Sequence, residues 1–316
     1  MSRVSLPWPV HRGEMRLDVP FDLGVSLLCG QAFRWQPLDD GGYRGVVEGT
    51  VVDIWQPSEG RLRWESGPMA LEKKQVTSYF RLDDDLEAIR EAISDVSVDG
   101  AFTQYPGLRI LRQEPWETLI SFVISQVSNV PRISRTVETL SMHYGDHLGD
   151  GLSASFPRPE QLAQADENAL RLLGLGYRAP HLVHISNAVN DGQLFLEPLR
   201  FASFEEARAR LMELPGVGPK VADCALLFSL DHLEAFPVDR WVIRAVEEWF
   251  DVRKGMSQEA IADWARTRFG QYAGYAGQYL FHARREGGAE CPAPGDGRRR
   301  GPVDLDRGNV DVDLDA

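Results

Sequence analysis

Lysine is scarce in this 316-residue sequence, and acidic residues outnumber basic residues. Only four lysines are present, at positions 73, 74, 220 and 254. Lysine and arginine together number 34 against 47 aspartates and glutamates, which gives a formal net charge of −13 at pH 7. The chain therefore lacks the overall basic balance that is typical of many nucleic-acid-binding proteins. Any polyanionic ligand must be held by a local cluster of arginines and backbone N–H groups.

Cysteine and long apolar segments are also nearly absent. The three cysteines, Cys29, Cys224 and Cys291, have no regular spacing, and no group of histidines and carboxylates suggests a metal site. The sequence contains no signal peptide and no apolar run long enough to span a membrane. We therefore expect a reduced, cytoplasmic protein, associated with the nucleoid if it is prokaryotic, without disulfides, metal or membrane partner. We also expect a monomer.

The excess of acid has its own interpretation. Few lysines and many small acidic loops resemble proteins that are adapted to high salt, where the medium screens repulsion over a few ångströms. High salt also weakens affinity for phosphates, because fewer counterions are released on binding. Long-range steering would then contribute little to the binding of an anion.

The first third of the chain predicts an antiparallel sheet. From residue 25 to about residue 65, apolar and polar residues alternate between turn sequences at 39–42 and 57–60. The large apolar residues of this stretch are expected on one side of the sheet: Trp35, Tyr43, Val46, Trp55 and Trp64.

After about residue 82 the pattern becomes helical. Trp116 begins an apolar face that continues to Val127, and further helices are predicted over residues 157–173, 179–190, 204–214, 220–230, 240–250 and 257–269. These patterns predict an α+β protein with an N-terminal sheet domain (residues 1–115), a helical domain (116–286) and a disordered acidic tail (287–316).

Residues 214–220, Leu-Pro-Gly-Val-Gly-Pro-Lys, are the most specific motif of the chain. The motif predicts a tight turn, residues 215–219, between two helices. Gly216 and Gly218, with Val217 between them, would let the backbone approach a ligand closely and would present N–H groups at a helix N-terminus, which suits a phosphate. A plain helix-turn-helix corner is the alternative.

Lys220 follows the hairpin in a chain that otherwise uses arginine. Lysine can lose its proton and arginine cannot, so a lysine is suited to nucleophilic attack. The positive end of the helix dipole would disfavour its ammonium form. A solvated surface charge is the alternative interpretation.

Asp239 follows Pro237 and Val238 and opens the next apolar-periodic run. That position predicts an N-cap, and capping alone would account for the residue. A capping carboxylate also stays ionised and oriented, so it could stabilise a developing cation.

Taken together, residues 214–224 and 237–239 resemble the helix-hairpin-helix and Gly-Pro-Asp motif of base-excision DNA glycosylases, most closely 8-oxoguanine DNA glycosylases. Residues 30–35 (Gly-Gln-Ala-Phe-Arg-Trp), 105–113, 173–179, 272–276 and 280–281 resemble the same family in the same order. The resemblance covers roughly residues 20–286 and implies a sheet like that of TATA-binding protein, packed on the helical core. The cysteine count excludes the iron–sulfur loop of the endonuclease III and adenine glycosylase branches.

The resemblance implies a bifunctional DNA repair enzyme that acts on double-stranded DNA containing oxidised guanine. Lys220 would attack C1′ of the flipped nucleotide and form a Schiff base, after which β-elimination cleaves the strand. Asp239, expected to be buried and capped, would stabilise the positive charge on the sugar. No metal or cofactor is required.

The resemblance also assigns roles in binding DNA and the base. Tyr177 would wedge the stack, and Arg178 and Arg132 would hold the orphaned cytosine, with Asn129 beside them. The carbonyl of Gly30 would accept a hydrogen bond from N7–H of 8-oxoguanine, which guanine lacks. Cys224 and Phe281 would sandwich the flipped base. Without the resemblance, Tyr177 would be interpreted as a half-buried residue under a loop and Cys224 as a small core residue.

Several positions depart from the family pattern. The glutamine expected at the Watson–Crick edge falls on Gly277, with Gln278 one position late, and such a shift turns a side chain by about 100° on a helix. Val127 stands where an asparagine is expected beside the cytosine, and Trp241 stands in place of a histidine. Specificity for cytosine is therefore expected to be weaker or built differently.

Two other functions remain open on the sequence. A monofunctional methylpurine DNA glycosylase shares the hairpin and the aspartate but does not need Lys220. A non-catalytic helix-hairpin-helix DNA-binding protein needs only the hairpin, and neither Asp239 nor the N-terminal motif serves plain binding. A trappable Schiff base would separate the first alternative from the bifunctional enzyme.

Overall fold

The computed structural model describes residues 8–250 and 252–287. Within them lies one five-stranded antiparallel sheet with the strand order β1-β5-β4-β3-β2. The strands are β1 (His11–Arg16), β2 (Gln36–Pro37), β3 (Tyr43–Val47), β4 (Thr50–Ser58) and β5 (Arg61–Gly67). The predicted α+β class and antiparallel sheet are confirmed, whereas the predicted tail lies outside the described residues.

The sheet does not place all the predicted aromatic residues on one side. Trp35, Tyr43 and Trp64 contribute to the apolar cluster between the sheet and helices, but Val46 and Trp55 do not. Side chains alternate along a strand, so Val46 and Trp55 have the opposite parity to their neighbours Val47 and Ile54, which face this cluster. Trp55 instead donates its indole N–H to Asp40 (2.9 Å).

The predicted start of the sheet at residue 25 is wrong. Residues Leu23–Leu28 form helix α1, whose N-terminus is capped by Asp22 Oδ1 at 2.9 Å from the N–H of Val25. The sheet gains its edge strand from residues further upstream, because β1 pairs with β5. An aspartate three residues before Val25 was the available signal for a helix start.

Helices account for most of the remaining described chain. They are α2 (Lys73–Tyr79), α3 (Leu86–Ala92), α4 (Val96–Gln104), α5 (Pro115–Ile124), α6 (Val130–Tyr144), α7 (Pro159–Ala163), α8 (Glu167–Leu170), α9 (Ala179–Asn190), α10 (Phe204–Met212), α11 (Pro219–Ser229), α12 (Arg240–Trp249), α13 (Gln258–Phe269) and α14 (Ala273–Gly287). The helix predicted over residues 157–173 is divided, since Asp166 caps a new helix by accepting from the N–H of Ala169 (2.8 Å). A π-helical turn, Arg171–Leu175, and a short 3₁₀ turn, Gly176–Arg178, follow it.

A buried polar side chain joins helix α1 to the segment between α4 and α5. Gln31, only 1% exposed, donates through Nε2 to the carbonyls of Ser26 and Arg109 (2.8 Å each) and accepts through Oε1 from Leu111 N–H (2.9 Å). Each of its polar atoms is thus satisfied, as burial requires. These bonds fix the backbone next to Gly30.

The domain boundaries at 115 and 286 stay predictions.

Candidate active site

Helices α10 and α11 form the predicted hairpin around Gly216. Gly216 has φ +81°, and a Cβ built on it would lie 2.7 Å from Cγ of His181. Both facts require glycine at this position. Gly218 is the N-cap of α11, and a Cβ there would meet no atom within 4 Å, so the space beside it is open. Pro219 belongs to the first turn of α11 rather than to the preceding turn, because its missing N–H is tolerated there.

The turn of the hairpin is held by packing and by hydrogen bonds, whereas the N-terminus of α11 has no side chain that caps it. Val217 is 5% exposed, and its N–H donates to the carbonyl of Leu214 (3.1 Å), so Val217 supports the turn and has no free N–H for a ligand. Gln126 Nε2 donates to the carbonyl of Gly216 (2.7 Å). The N-terminus of α11 has no side-chain cap. Its first N–H groups are therefore available to an anion.

Lys220 is half-buried just behind this helix terminus. Its Nζ lies 3.4 Å from Ser125 Oγ and 5.0 Å from the centroid of the Phe122 ring. Ser125 Oγ donates to the carbonyl of Phe122 (2.7 Å), so it has lone pairs left for the lysine. The amine is thus held between a hydroxyl and a ring face, and the interpretation of Lys220 as a freely solvated surface charge does not fit this placement.

Cys224 lies one turn after Lys220 and is 2% exposed. Burial raises the pKa of its thiol to about 12, the charge of Lys220 acts in the opposite direction, and the carboxylate of Asp239 raises it further. Cys224 is therefore within electrostatic range of both Lys220 and Asp239. Because the thiol stays protonated at neutral pH, Cys224 presents a neutral side chain.

Asp239 is the N-cap of α12, as predicted. Its Oδ1 accepts from the N–H groups of Trp241 and Val242, both at 2.9 Å. The residue is half-buried rather than buried, because the cap sits at the open end of the helix. Trp241, in place of a histidine, is flanked by Arg240 and Arg244, whose guanidinium carbons lie 5.4 and 5.1 Å from the ring centroid. Two positive charges thus lie against the ring of Trp241.

Gly30 and Phe281 come together as the predicted base pocket requires. Gly30 has φ +89°, and a Cβ built on it would lie 3.4 Å from Cε1 of Phe281 and 2.9 Å from Nη1 of Arg285. Phe281 is half-buried on α14. Glycine is needed here for its backbone conformation and for the close approach of Arg285.

The side chain of Gln278 is engaged with the backbone and does not serve to read a base edge. It is 6% exposed, and its Nε2 donates to the carbonyl of Cys29 (3.3 Å), so the side chain supports the backbone before Gly30. Gly277 is confined by a ring, because a Cβ built on it would lie 2.9 Å from Cε2 of Phe236. Phe236 occupies the space in which a longer side chain at position 277 would begin.

The residues predicted to contact the opposite strand cluster around one exposed loop. Val127 is 90% exposed with φ +48°, an unusual backbone conformation for a β-branched residue. Arg178 Nη2 donates to the carbonyls of Gln126 and Val127, the second at 3.4 Å. Arg178 is only 6% exposed, so its guanidinium is engaged in holding the loop.

Tyr177, Asn129 and Arg132 surround that loop. Tyr177 is 51% exposed, and the guanidinium carbon of Arg178 lies 4.4 Å from its ring centroid. Asn129 caps α6 by accepting from the N–H of Arg132 (3.0 Å). Burial lowers the pKa of Arg178, and the positive charge of the exposed Arg132 lowers it further. Two arginines and an exposed aromatic ring therefore share one surface, which fits contact with a polyanion.

The sequence did not identify Ser125, Gln126 or Arg285 as members of the site. Ser125 and Gln126 follow α5, and only the fold brings them against Lys220 and Gly216. Arg285 lies four residues after Phe281 on α14, which places both on one helix face. That spacing was a signal that could have been used.

Fold and site define a helix-hairpin-helix protein with a lysine, a thiol and a carboxylate beside its hairpin, and comparison with known proteins agrees. Residues 16–119 match the family model described as 8-oxoguanine DNA glycosylase, N-terminal domain, and residues 120–267 match that of the HhH-GPD superfamily base excision DNA repair protein.

Full-length relatives extend the match. A probable N-glycosylase/DNA lyase of Methanothermobacter thermautotrophicus is 30% identical over 86% of this chain and 97% of its own length. An N-glycosylase/DNA lyase of Arabidopsis thaliana is 34% identical over 90% of this chain and 82% of its own. The crystal structure of the Clostridium acetobutylicum 8-oxoguanine glycosylase/lyase with double-stranded DNA, containing cytosine opposite 8-oxoguanine, superposes with a TM-score of 0.79 at 30% identity, covering 87% of this chain and 98% of that one. The chain belongs to the 8-oxoguanine DNA glycosylase family of N-glycosylase/DNA lyases.

The described part of the chain contains neither a metal-binding cluster nor a membrane-spanning helix. In residues 8–250 and 252–287, no three histidine, cysteine, aspartate or glutamate side chains are grouped so that they could hold a metal ion. Within the same ranges, no helix combines the length and the apolar character that crossing a membrane would require.

Proposed function

We propose that this protein removes 8-oxoguanine from double-stranded DNA and then cleaves the strand at the resulting abasic site, with Lys220 as the nucleophile. One observation supports this most strongly: the amine of Lys220 is held between Ser125 Oγ and the Phe122 ring in the first turn of α11, a helix whose N-terminus has no side-chain cap. The monofunctional alternative is not favoured, because the relatives at 30–34% identity are N-glycosylase/DNA lyases.

Lys220 supplies the covalent step. Its neutral amine attacks C1′ while the bond from C1′ to N9 of the base breaks, and the electron pair leaves with the base, which takes up a proton. The amine loses its proton, the sugar ring opens, and a Schiff base forms between Nζ and C1′. Loss of a C2′ proton then expels the 3′ phosphate by β-elimination, and water releases the lysine. Ser125 Oγ, 3.4 Å from Nζ, orients the amine for attack.

Asp239 stabilises the charge that this step creates. Departure of the base builds positive charge on the sugar, and a carboxylate fixed beside it stabilises that charge without reorganisation. The two bonds from the N–H groups of α12 go to Oδ1. They fix the direction of the carboxylate and leave Oδ2 for the sugar.

Two segments bind the DNA on either side of the flipped nucleotide. They are the hairpin and the loop of residues 125–129 between α5 and α6, which we call the Val127 loop. Gly216 and Gly218 shape a backbone that a phosphate can approach, at the positive end of α11. Tyr177 and Val127 provide apolar side chains for the gap in the stack, and Arg132 and Arg178 stand beside it. For Arg178 to hold a cytosine opposite the lesion, it must release the loop carbonyls.

The base pocket lies between α11 and α14. The Gly30 carbonyl accepts from N7–H, Cys224 and Phe281 cover the faces of the base, and Gln278 holds the Cys29 carbonyl next to this contact. Loss of one such hydrogen bond leaves a buried group unpaired, which costs about 1–3 kcal/mol and separates damaged from normal guanine.

The proposal includes a monomer and a cytoplasmic setting, the latter supported by the free thiols of Cys29 and Cys224.

A borohydride trapping assay tests this function. A labelled duplex with 8-oxoguanine opposite cytosine is incubated with the protein and borohydride. We expect a covalent adduct with wild type and none with Lys220→Gln. Asp239→Asn serves as the matched variant: it should slow base release yet still form an adduct on a duplex with a preformed abasic site.

Each other outcome points to a different conclusion. Base release without an adduct would make Lys220 structural and the enzyme monofunctional. Neither release nor adduct at any salt concentration would contradict 8-oxoguanine as the substrate, and duplexes with alkylated purines would be tested next.

A further inference from the structure

Arg285 brings a guanidinium to the wall of the base pocket. Its Nη1 lies 2.9 Å from the position that a Cβ on Gly30 would occupy, and its guanidinium carbon lies 5.3 Å from the Phe281 ring centroid. The group therefore stands between the residue that accepts from N7–H and the ring that covers the base.

The guanidinium is fixed in place but keeps donors for a ligand. Nη2 donates to the carbonyl of Leu28 (3.1 Å), and Nε donates to Glu286 Oε1 (2.9 Å). The ring of Phe281 adds a cation–π contact. Among the residues that the structure describes, no hydrogen bond engages Nη1, the nitrogen nearest Gly30. A donor held by three contacts is pre-organised for an acceptor in the pocket.

Neither Gln278 nor Cys224 provides this donor. Gln278 is engaged with the Cys29 carbonyl, and position 277 is a glycine confined by Phe236. The thiol of Cys224 is protonated and a weak donor. Arg285 is thus the side chain placed to donate beside Gly30.

We propose that Arg285 is a specificity-determining residue, which donates from Nη1 to a keto oxygen of the flipped 8-oxoguanine. In that base, N7 is bonded to C8, which carries O8, and to C5, whose neighbour C6 carries O6. Both oxygens can only accept hydrogen bonds. A donor adjacent to the group that binds N7–H therefore meets one of these oxygens. The inference rests on the proposed function, since it needs 8-oxoguanine in this pocket.

Single-turnover kinetics of Arg285 variants test the proposal on two substrates. One duplex contains 8-oxoguanine opposite cytosine, and the other contains a preformed abasic site, which has no base. We expect Arg285→Leu to release 8-oxoguanine roughly tenfold to hundredfold more slowly, as for a hydrogen bond with a charged donor. Cleavage of the abasic duplex should stay within about twofold, because a hydrogen bond with the base cannot affect it.

Two further variants separate contact with the base from a structural role. Arg285→Lys keeps a charged donor and should recover part of the loss, and Arg285→Ala should regain activity with added methylguanidinium but not with tetramethylammonium. Arg268→Leu, which removes an arginine that stacks on Phe250 and Phe269, is the matched control and should leave both rates unchanged.

The outcomes are distinguishable. Equal loss on both duplexes, or no loss on either, would overturn the role of Arg285 while the proposed function stands. Wild type that cleaves the abasic duplex but never releases 8-oxoguanine would overturn the proposed function itself, and this inference with it.

Discussion

At the scale of single residues, Val127 combines an unfavourable backbone conformation with almost complete exposure. Its φ of +48° is a conformation that β-branched residues rarely adopt, and its side chain is 90% exposed. Arg178 holds the loop through the carbonyls of Gln126 and Val127. Strained positions of this kind occur where function requires a particular shape, which agrees with the proposal that the Val127 side chain contacts the DNA.

Replacing Val127 by asparagine should raise the stability of the protein. Asparagine tolerates positive φ, and an exposed valine loses no packing, so we expect the free energy of unfolding to increase by about 1 kcal/mol. Urea denaturation measures the change. Val96→Asn, at a 70% exposed valine in helix α4, is the control and should give no such gain. An unchanged or lower stability of Val127→Asn would show that the loop is not strained.

The pairing of Gly277 with Phe236 can be tested in the same way. Gly277→Gln should destabilise the protein by about 1–3 kcal/mol, because its Cβ would lie 2.9 Å from the Phe236 ring. Phe236→Val removes that ring, so the double variant should lose less than the sum of the two single losses. A double-mutant cycle of unfolding free energies measures the coupling, and strictly additive losses would contradict the steric explanation.

At the scale of elements, α10 and α11 are joined by a buried ion pair as well as by the hairpin. Arg208 Nε donates to Asp223 Oδ1 (2.6 Å), and Asp223 is 1% exposed. Burial raises the pKa of Asp223 to about 6, although Arg208 acts in the opposite direction. Since the folded-state pKa exceeds the ordinary value of 3.8, this carboxyl group stabilises the fold most at low pH, and that contribution is lost as the pH rises through about 6.

Arg208→Met should therefore destabilise the protein in a pH-dependent manner. Without Arg208 the pKa of Asp223 rises further, so at pH 8 the buried carboxylate is left uncompensated, at a loss of about 3–5 kcal/mol. At pH 5 the group is protonated and the loss should be clearly smaller. Thermal unfolding at both pH values measures this. Arg210→Met, at an exposed pair with Glu213, is the control, and equal losses at pH 5 and pH 8 would contradict the explanation.

The elements also show what the sequence could predict. The hairpin, the cap at Asp239 and the helices α9 to α13 follow from local signals of turn, cap and period, and these predictions agree with the structure to within a few residues. The division after Ala163, the helix at Leu23–Leu28 and the edge strand β1 were missed, because short elements are determined by tertiary contacts more than by period. The contacts of Ser125, Gln126 and Arg285 depend on segments far apart in the chain, which no local pattern encodes.

At the scale of the whole molecule, a net charge of −13 coexists with the anion-binding site that we propose. Local positive charge offsets the overall excess of acid there. Arg132 and Arg178 share the surface of Tyr177, Arg240 and Arg244 flank Trp241, and α11 presents its N-terminus beside Gly218. Composition gives the overall excess of acid, but the sequence could not show how few arginines share the surface that we propose binds DNA.

The excess acid predicts a protein that is stabilised by salt. Repulsion among the carboxylates opposes the compact state, and 1 M KCl reduces the screening length to about 3 Å from about 10 Å at 0.1 M. We expect the melting temperature to rise between these concentrations at pH 7.5, measured by calorimetry. Chloride is used because sulfate would also strengthen apolar burial. Glu91→Lys, at an exposed position in the last turn of α3, removes two units of net negative charge, so it should melt higher than wild type at 0.1 M KCl and gain less from added salt. A melting temperature that stays constant or falls with added KCl would show that repulsion among the carboxylates does not limit the stability of the folded protein. The interpretation of the composition as salt adaptation would then be wrong.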